Sequence, residues 1–257
     1  MIPAHSARFG DGQEPLRKPQ FLTMGDCAFT LEFGDLVHPV INDHVLRLDR
    51  ALLRADLRGI VEIIPTYRSI TIIFDPLRVT RDAAIASVRA VLDDLDEDGA
   101  APAPRQWVLP VVYGGTLGFD LPLVSTLLDL PEEEIVERHA AATYRVYMIG
   151  FNPGFPYLGG LDPVLQISRR AAVTPRVEAG SVIIGGMQTA VCSVPTPTGW
   201  YVIGRTPVRP FDLNRGAGAF LFRAGDMLRF EPIGQVEFDS LSAAAARGDI
   251  VARELSS

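Results

Sequence analysis

The chain has 257 residues, 47% of them hydrophobic, enough for one large domain or two smaller ones with cores of their own. Its formal net charge is -7 and it contains no basic block, which argues against a nucleic-acid binder and against an anionic membrane surface as partner. No run approaches the ~20 apolar residues a membrane span needs. Lys18 is the only lysine, so the folded part has no Walker A lysine, Schiff-base lysine or biotin-carrying lysine.

Residues 1–20 hold Pro3, Gly10, Gly12, Pro15 and Pro19 and no apolar stretch; they read as a flexible tail without a secretory leader. Residues 21–24 and 27–33 read as two strands around Gly25-Asp26. Over residues 40–57, Ile41, Val45, Leu48 and Leu52 share one helical face behind a first-turn Pro39. Residues 60–64 and 69–74 are β-branched and predict strands. Thr80 is placed to cap a helix carrying Ala84, Ile85, Val88, Leu92 and Leu95. This order predicts a small α+β domain over 21–96, with its helices on one sheet face.

The acidic run at 93–98 and the alternating Ala and Pro that follow predict a solvated linker at 97–105, and residues 106–257 a second domain. There, 107–113 reads as a strand, and 123–128 and 131–142 as helices. From Tyr144 onward short β-rich runs follow one another at 144–151, 181–185, 189–194, 200–206 and 227–233, the pattern of a closed or nearly closed β-barrel. The segment from Phe238 predicts a terminal helix.

Cys27 and Cys192 form no CxxC pair, and His5, His38, His44 and His139 fall in no metal-ligand spacing. No metal is assigned, and a reducing cytoplasm is the expected compartment. With arginine as the cation of the folded part, any bound anion must meet guanidinium forks, backbone amides or hydroxyls.

The segment 150–163, Gly-Phe-Asn-Pro-Gly-Phe-Pro-Tyr-Leu-Gly-Gly-Leu-Asp-Pro, packs glycines, prolines and aromatics together. It predicts either a stiff wall for a small flat ligand, lined by the rings of Phe151, Phe155 and Tyr157 with Asn152 and Gly154 in the same loop, or a rigid corner that plugs the barrel. Arg176 and Arg205 stand beside turn residues with Ser181, Gln188, Thr189, Trp200 and Thr206; such residues either converge on a carboxylate or phosphoryl group at a barrel mouth or form ordinary surface pairs. Ser181 lacks a GxSxG elbow and reads as a donor rather than a nucleophile. His139 is a catalytic candidate but lies on the apolar side of its helix, where a core histidine is the simpler reading.

These motifs together, with Gly25-Asp26, Glu32-Phe33-Gly34, Tyr67-Arg68-Ser69, Tyr113-Gly114-Gly115 and 144–147 upstream, resemble the KipI family, also called allophanate hydrolase subunit 1, which includes the B subunit of bacterial 5-oxoprolinase. The resemblance runs from about residue 21 to 233. It implies an N-terminal α+β, ferredoxin-like domain and a C-terminal cyclophilin-like β-barrel. It further implies a protein that works with partner subunits A and C to open 5-oxo-L-proline to L-glutamate using ATP. The ATP site would be shared with a partner or lie in one, and the chain would be inactive alone. Two other roles in the family are inhibition of a histidine kinase and an allophanate hydrolase or urea carboxylase-like amide chemistry. On this resemblance Arg176, Arg205 and His139 are the catalytic candidates, and Asn152, Gly154, Phe155, Tyr157, Ser181, Gln188, Thr189, Trp200 and Thr206 the substrate-binding ones. The sequence departs from the family at Ala190 and Cys192, where glycine and an aromatic are usual, and at Thr198, where Pro-Gly-Gly-Trp is usual.

Overall fold

A computed structural model describes residues 8–9, 16–95 and 103–255, and divides into two compact units, Met1–Pro102 and Ala103–Ser257. Most of the expected tail at 1–20, and residues 97–102 of the expected linker, lie outside the described residues.

The first unit contains β1 (Arg8–Phe9), β2 (Gln20–Met24), β3 (Ala28–Glu32), β4 (Leu36–Val37), α1 (Pro39–Ala55), β5 (Ile60–Pro65), β6 (Ser69–Phe74) and α2 (Arg81–Asp93). Its main sheet runs β2-β3-β6-β5, antiparallel throughout; β1 and β4 form a separate parallel pair. α1 starts where the His38 ring accepts the Val40 amide, and α2 where the Thr80 hydroxyl accepts the Ala83 amide. Both caps satisfy a donor that the helix cannot satisfy itself. The 3.6-residue spacing of Ile41, Val45, Leu48 and Leu52 puts them all in one core with Phe29, Leu31, Ile70, Ile72 and Val88. Each such side chain, fully buried, contributes roughly 1.5–3 kcal/mol.

The second unit contains β7 (Gln106–Tyr113), α3 (Leu121–Leu128), α4 (Glu132–Ala141), β8 (Tyr144–Ile149), β9 (Pro156–Gly159), β10 (Thr174–Val177), β11 (Ser181–Gly185), β12 (Gln188–Val191), β13 (Thr196–Thr198), β14 (Tyr201–Arg205), β15 (Met227–Pro232), α5 (Gln235–Ala246) and β16 (Arg253–Leu255). Seven strands close a barrel in the order β14-β11-β12-β9-β8-β15-β7, and β7 bonds back to β14 through Val112 and Tyr113. The β7–β15 pair is parallel; the other barrel pairs are antiparallel. Closure leaves no room on Gly204: an added Cβ would lie 2.7 Å from the Val112 carbonyl oxygen.

Alternation along the strands sorts their side chains into two clusters. Leu109, Val111, Val146, Val182, Ile184, Ile203 and Phe230 fill the interior. Phe155, Val177, Ile183, Ala190, Cys192, Trp200 and Val202 pack on the outer wall. All five residues of β11 are therefore buried, because both of its faces are covered. Ala190 and Cys192 take their place as small packing residues with no exposed surface.

Three features differ from the sequence expectations. The aromatic-rich segment reads as loop throughout, yet Pro156–Gly159 within it is β9; a four-residue strand that begins with proline and ends with glycine shows no alternation. The terminal helix starts earlier, at Gln235, and is followed by β16, an exposed polar strand on the margin of β7. The first unit is mixed α and β, and with the β1–β4 pair set aside its main-sheet strands and helices follow one another as ββαββα, where a ferredoxin-like domain has βαββαβ.

Candidate functional site

The chain leaves β8 through a tight turn in which Gly150 N–H donates to Phe155 O, Asn152 N–H to Gly150 O, and Phe155 N–H to Asn152 O. This turn holds Phe151 at φ 67°, a left-handed backbone that bulky residues rarely adopt. Gly154 follows at φ 71°, where an added Cβ would lie 2.8 Å from Phe211 Cβ. The result is a series of neighbouring rings: Phe151 to Phe155 at 5.7 Å, Phe155 to Tyr157 at 4.9 Å, and Tyr157 to Trp200 at 6.5 Å between centroids. Phe155 and Trp200 are buried, whereas Phe151 is 67% exposed.

Beside these rings, on the outer wall of the barrel, lies a cavity of about 320 Å³. Phe151, Phe155, Ile183 and Trp200 supply much of its apolar surface, and Arg169, Arg170, Thr196 and Thr198 its polar side chains. The two arginines differ in how they are held. Arg170 forms an ion pair with Asp120, lies 4.5 Å over the Tyr201 ring, and donates its backbone N–H to Gly199 O at 2.8 Å. Asp120 is 5% exposed, and its other oxygen accepts the Val202 amide at 2.8 Å. Nε of Arg170 is buried with no hydrogen-bond partner among the described residues. Arg169 lies 5.1 Å over the Trp200 ring, is exposed, and has no ion pair among the described residues. Burial raises the Tyr157 phenol above its ordinary pKa, and the positive charge of Arg169 opposes the rise.

The sequence-predicted residues fall into separate places. Asn152, Gly154, Phe155, Tyr157 and Trp200 gather at the aromatic loop and outer wall. Nδ2 of Asn152 is buried without a partner among the described residues. Ser181, Arg205 and Thr206 meet at the end of β11 and β14: Ser181 and Arg205 are register partners, Arg205 Nε donates to Ala179 O at 3.0 Å, and Thr206 Oγ1 accepts the Val208 amide. Gln188 stands at the β11–β12 turn opposite Gly185. Arg176 is 67% exposed and pairs with Glu178 at 3.0 Å, the ordinary surface pair rather than a convergent cation.

His139 and Thr189 lie inside the barrel with no exposed surface. Thr189 Oγ1 donates to Ile183 O at 2.9 Å, so it accepts from His139 Nε2 at 3.0 Å. The proton is thereby placed on Nε2, and Nδ1 accepts the Tyr113 hydroxyl at 2.8 Å. Burial pushes the His139 pKa down to about 3, so the ring is neutral. With both nitrogens engaged and a ring of Phe230 stacked 4.7 Å away, the expected catalytic use of His139 finds no route to a ligand. The Cys192 thiol, pushed up to about 12 by burial, stays protonated.

Sequence reasoning passed over Arg169, Arg170 and Asp120. Asp120 stands at the N-terminus of α3, yet its side chain makes no cap bond and reaches across to β14 instead. Among the described residues no group of three or more His, Cys, Asp or Glu could hold a metal, and no helix is long and apolar enough to cross a membrane.

Residues 19–221 match the family model for the carboxyltransferase domain, subdomain C and D. The B subunit of 5-oxoprolinase from Bacillus subtilis (strain 168) is 33% identical over 228 residues, covering 85% of this chain and 95% of that protein. The 5-oxoprolinase B subunit of Escherichia coli O157:H7 is 38% identical over 218 residues, covering 84% and 97%. Among solved structures, TTHA0988 matches 80% of this chain at 34% identity and a TM-score of 0.70, while this chain spans 40% of that one. The urea amidolyase of K. lactis matches 95% of this chain at a TM-score of 0.78, and this chain spans 17% of it; at 20% identity that likeness is one of fold.

Proposed function

Because the chain belongs to the family of 5-oxoprolinase B subunits, we propose that it is the B component of an ATP-dependent enzyme that opens 5-oxo-L-proline to L-glutamate, assembled with A and C subunits in the cytoplasm. The observation that carries this reading is the near-complete overlap, on both sides, with relatives of that name. On the same footing, the first unit is a ferredoxin-like variant: moving its first strand to the end of the order ββαββα gives βαββαβ.

Opening an unstrained lactam is hard because an amide is a poor electrophile. ATP, when bound at a site shared with or supplied by a partner, would supply a γ-phosphoryl group that activates the amide carbon; hydrolysis then breaks the ring C–N bond, the nitrogen leaving as the amine of glutamate and the phosphoryl group as inorganic phosphate. The work of this chain is then to position and to stabilise charge. Phe155, Tyr157 and Trp200 form a rigid apolar wall for a small ring. In this reading Arg205, held by Ala179 O beside the buried Ser181 and Thr206, is the cation assigned to developing charge. Arg176, exposed in its ion pair, and His139, sealed in the interior, take no part in this reading.

The test is reconstitution. The full chain, co-purified with candidate A and C subunits, should release glutamate from 5-oxo-L-proline only when ATP is present, and the chain alone should release none. Release by the chain alone, or an intact complex that leaves 5-oxoproline untouched, overturns the proposal.

A further inference from the structure

We propose that the outer-wall cavity binds a flat ring carrying a carboxylate, with Arg169 as its anion partner and Trp200 and Phe155 as its apolar wall. The ligand's identity as 5-oxo-L-proline rests on the reading above; the site's chemistry does not.

No carboxylate lines the cavity. Of its two guanidinium groups, Arg170 is already neutralised by Asp120, so Arg169 is the lining cation left without a counter-ion among the described residues. Of the remaining polar side chains, Thr196 gives its hydroxyl proton to Pro197 O, and the other two have donors to spare. Thr198 Oγ1 accepts the Trp200 amide at 3.0 Å, which leaves its hydroxyl proton to give, and Arg170 Nε is a buried N–H with no acceptor among the described residues. A cavity furnished with donors selects an acceptor-rich ligand. One uncompensated guanidinium fork matches one carboxylate, whereas phosphate sites draw on several converging amides or a helix N-terminus.

Shape narrows the class. About 320 Å³ lies near the small end of ligand cavities, room for a single substituted ring rather than a nucleotide. The walls are set before any ligand arrives: Phe155 is 3% and Trp200 6% exposed. Phe151 completes the picture. A phenyl ring held in left-handed backbone and mostly in water is unfavourable twice over, and strain of this kind gathers at ligand sites. A ring seated in the cavity covers apolar surface that is otherwise hydrated.

Calorimetric titration of the full chain tests the site with 5-oxo-L-proline, its carboxamide and pyrrole-2-carboxylate, and with inorganic phosphate as competitor. Both carboxylates should bind saturably, the carboxamide roughly 10- to 100-fold more weakly, and phosphate should not displace them. Arg169→Gln, an exposed change that leaves the far-UV dichroism intact, should erase the preference for acid over amide. Trp200→Leu should weaken all three rings. Equal affinity for acid and amide, a preference that survives Arg169→Gln, displacement by phosphate, or no saturable binding of either carboxylate overturns the proposal. If pyrrole-2-carboxylate binds through Arg169 and 5-oxoproline does not, the site stands and the lactam reading falls. If a reconstituted complex releases glutamate with an unchanged KM after Arg169→Gln, the lactam reading stands and this site falls.

Discussion

On the inner face of the barrel wall, His139, Thr189 and Tyr113 form a polar chain in which each donor meets an acceptor and no atom of His139 or Thr189 reaches solvent. On the outer face, Arg169 has no counter-ion among the described residues, Arg170 Nε is buried without a partner there, and Phe151 stands in water on a strained backbone. Both regions are rich in residues that look functional in a sequence. The difference is satisfaction: a completed network has nothing left to offer a ligand, whereas unspent donors beside an open cavity do. The inner polar residues hold the fold and the outer ones are left to act.

The largest effect expected from this contrast is on acid stability. A histidine whose pKa is about 3 folded and near 6.5 unfolded binds a proton in the unfolded state first. Its contribution is therefore complete above pH 6.5 and is lost as pH falls from 6.5 toward 3, by roughly 5 kcal/mol at most. Urea unfolding at a series of pH values should show this slope in the wild type and a flatter one in His139→Gln; parallel slopes would mean the ring is not sealed. Next comes Arg170→Met, which strands the buried Asp120 carboxylate and should destabilise the chain by roughly 3 kcal/mol. A loss below about 1 kcal/mol by the same urea midpoints would show that the pair is screened. Smaller still, Phe151→Gly should raise stability by about 1 kcal/mol through relief of the left-handed backbone, while weakening ring binding. A loss of stability instead would make Phe151 a packing residue. Arg176→Ala marks the floor of the series: its exposed pair with Glu178 should change the unfolding midpoint by no more than roughly 1 kcal/mol.

What the sequence made legible follows from range. The α1 face of Ile41, Val45, Leu48 and Leu52, the Thr80 cap, and the β-rich texture after Tyr144 are local patterns, and the structure carries each of them. The aromatic segment at 150–163 is legible by composition as a stiff, ring-rich stretch, but the strand β9 within it is not, since proline and glycine mask a strand that only its neighbours β8 and β12 define. Arg176 and Arg205 share similar motif surroundings in sequence, and nothing local says which is exposed and which is held by a carbonyl, whereas the apolar helix face of His139 already points to a core histidine. Arg169 and Arg170 illustrate the same limit. One is compensated and the other is not because of Asp120, far back along the chain, whose own role depends on Val202 in a third segment.

The closure of the barrel by β7 has a consequence in time. β7 is the first strand of its unit to be made, and its partners β14 and β15 come near the end of the same unit. At typical rates of synthesis its edges wait on the order of ten seconds for those partners. The first unit draws its main sheet from strands that are all made before β7, and it is free to fold within that interval. Contacts of such long sequence separation form slowly, and an unpaired apolar strand invites other chains. The newborn chain therefore passes through a stage with one unit finished and an open, sticky half-barrel behind it, and the exposed interior of that half-barrel is where a chaperone has the most to shield.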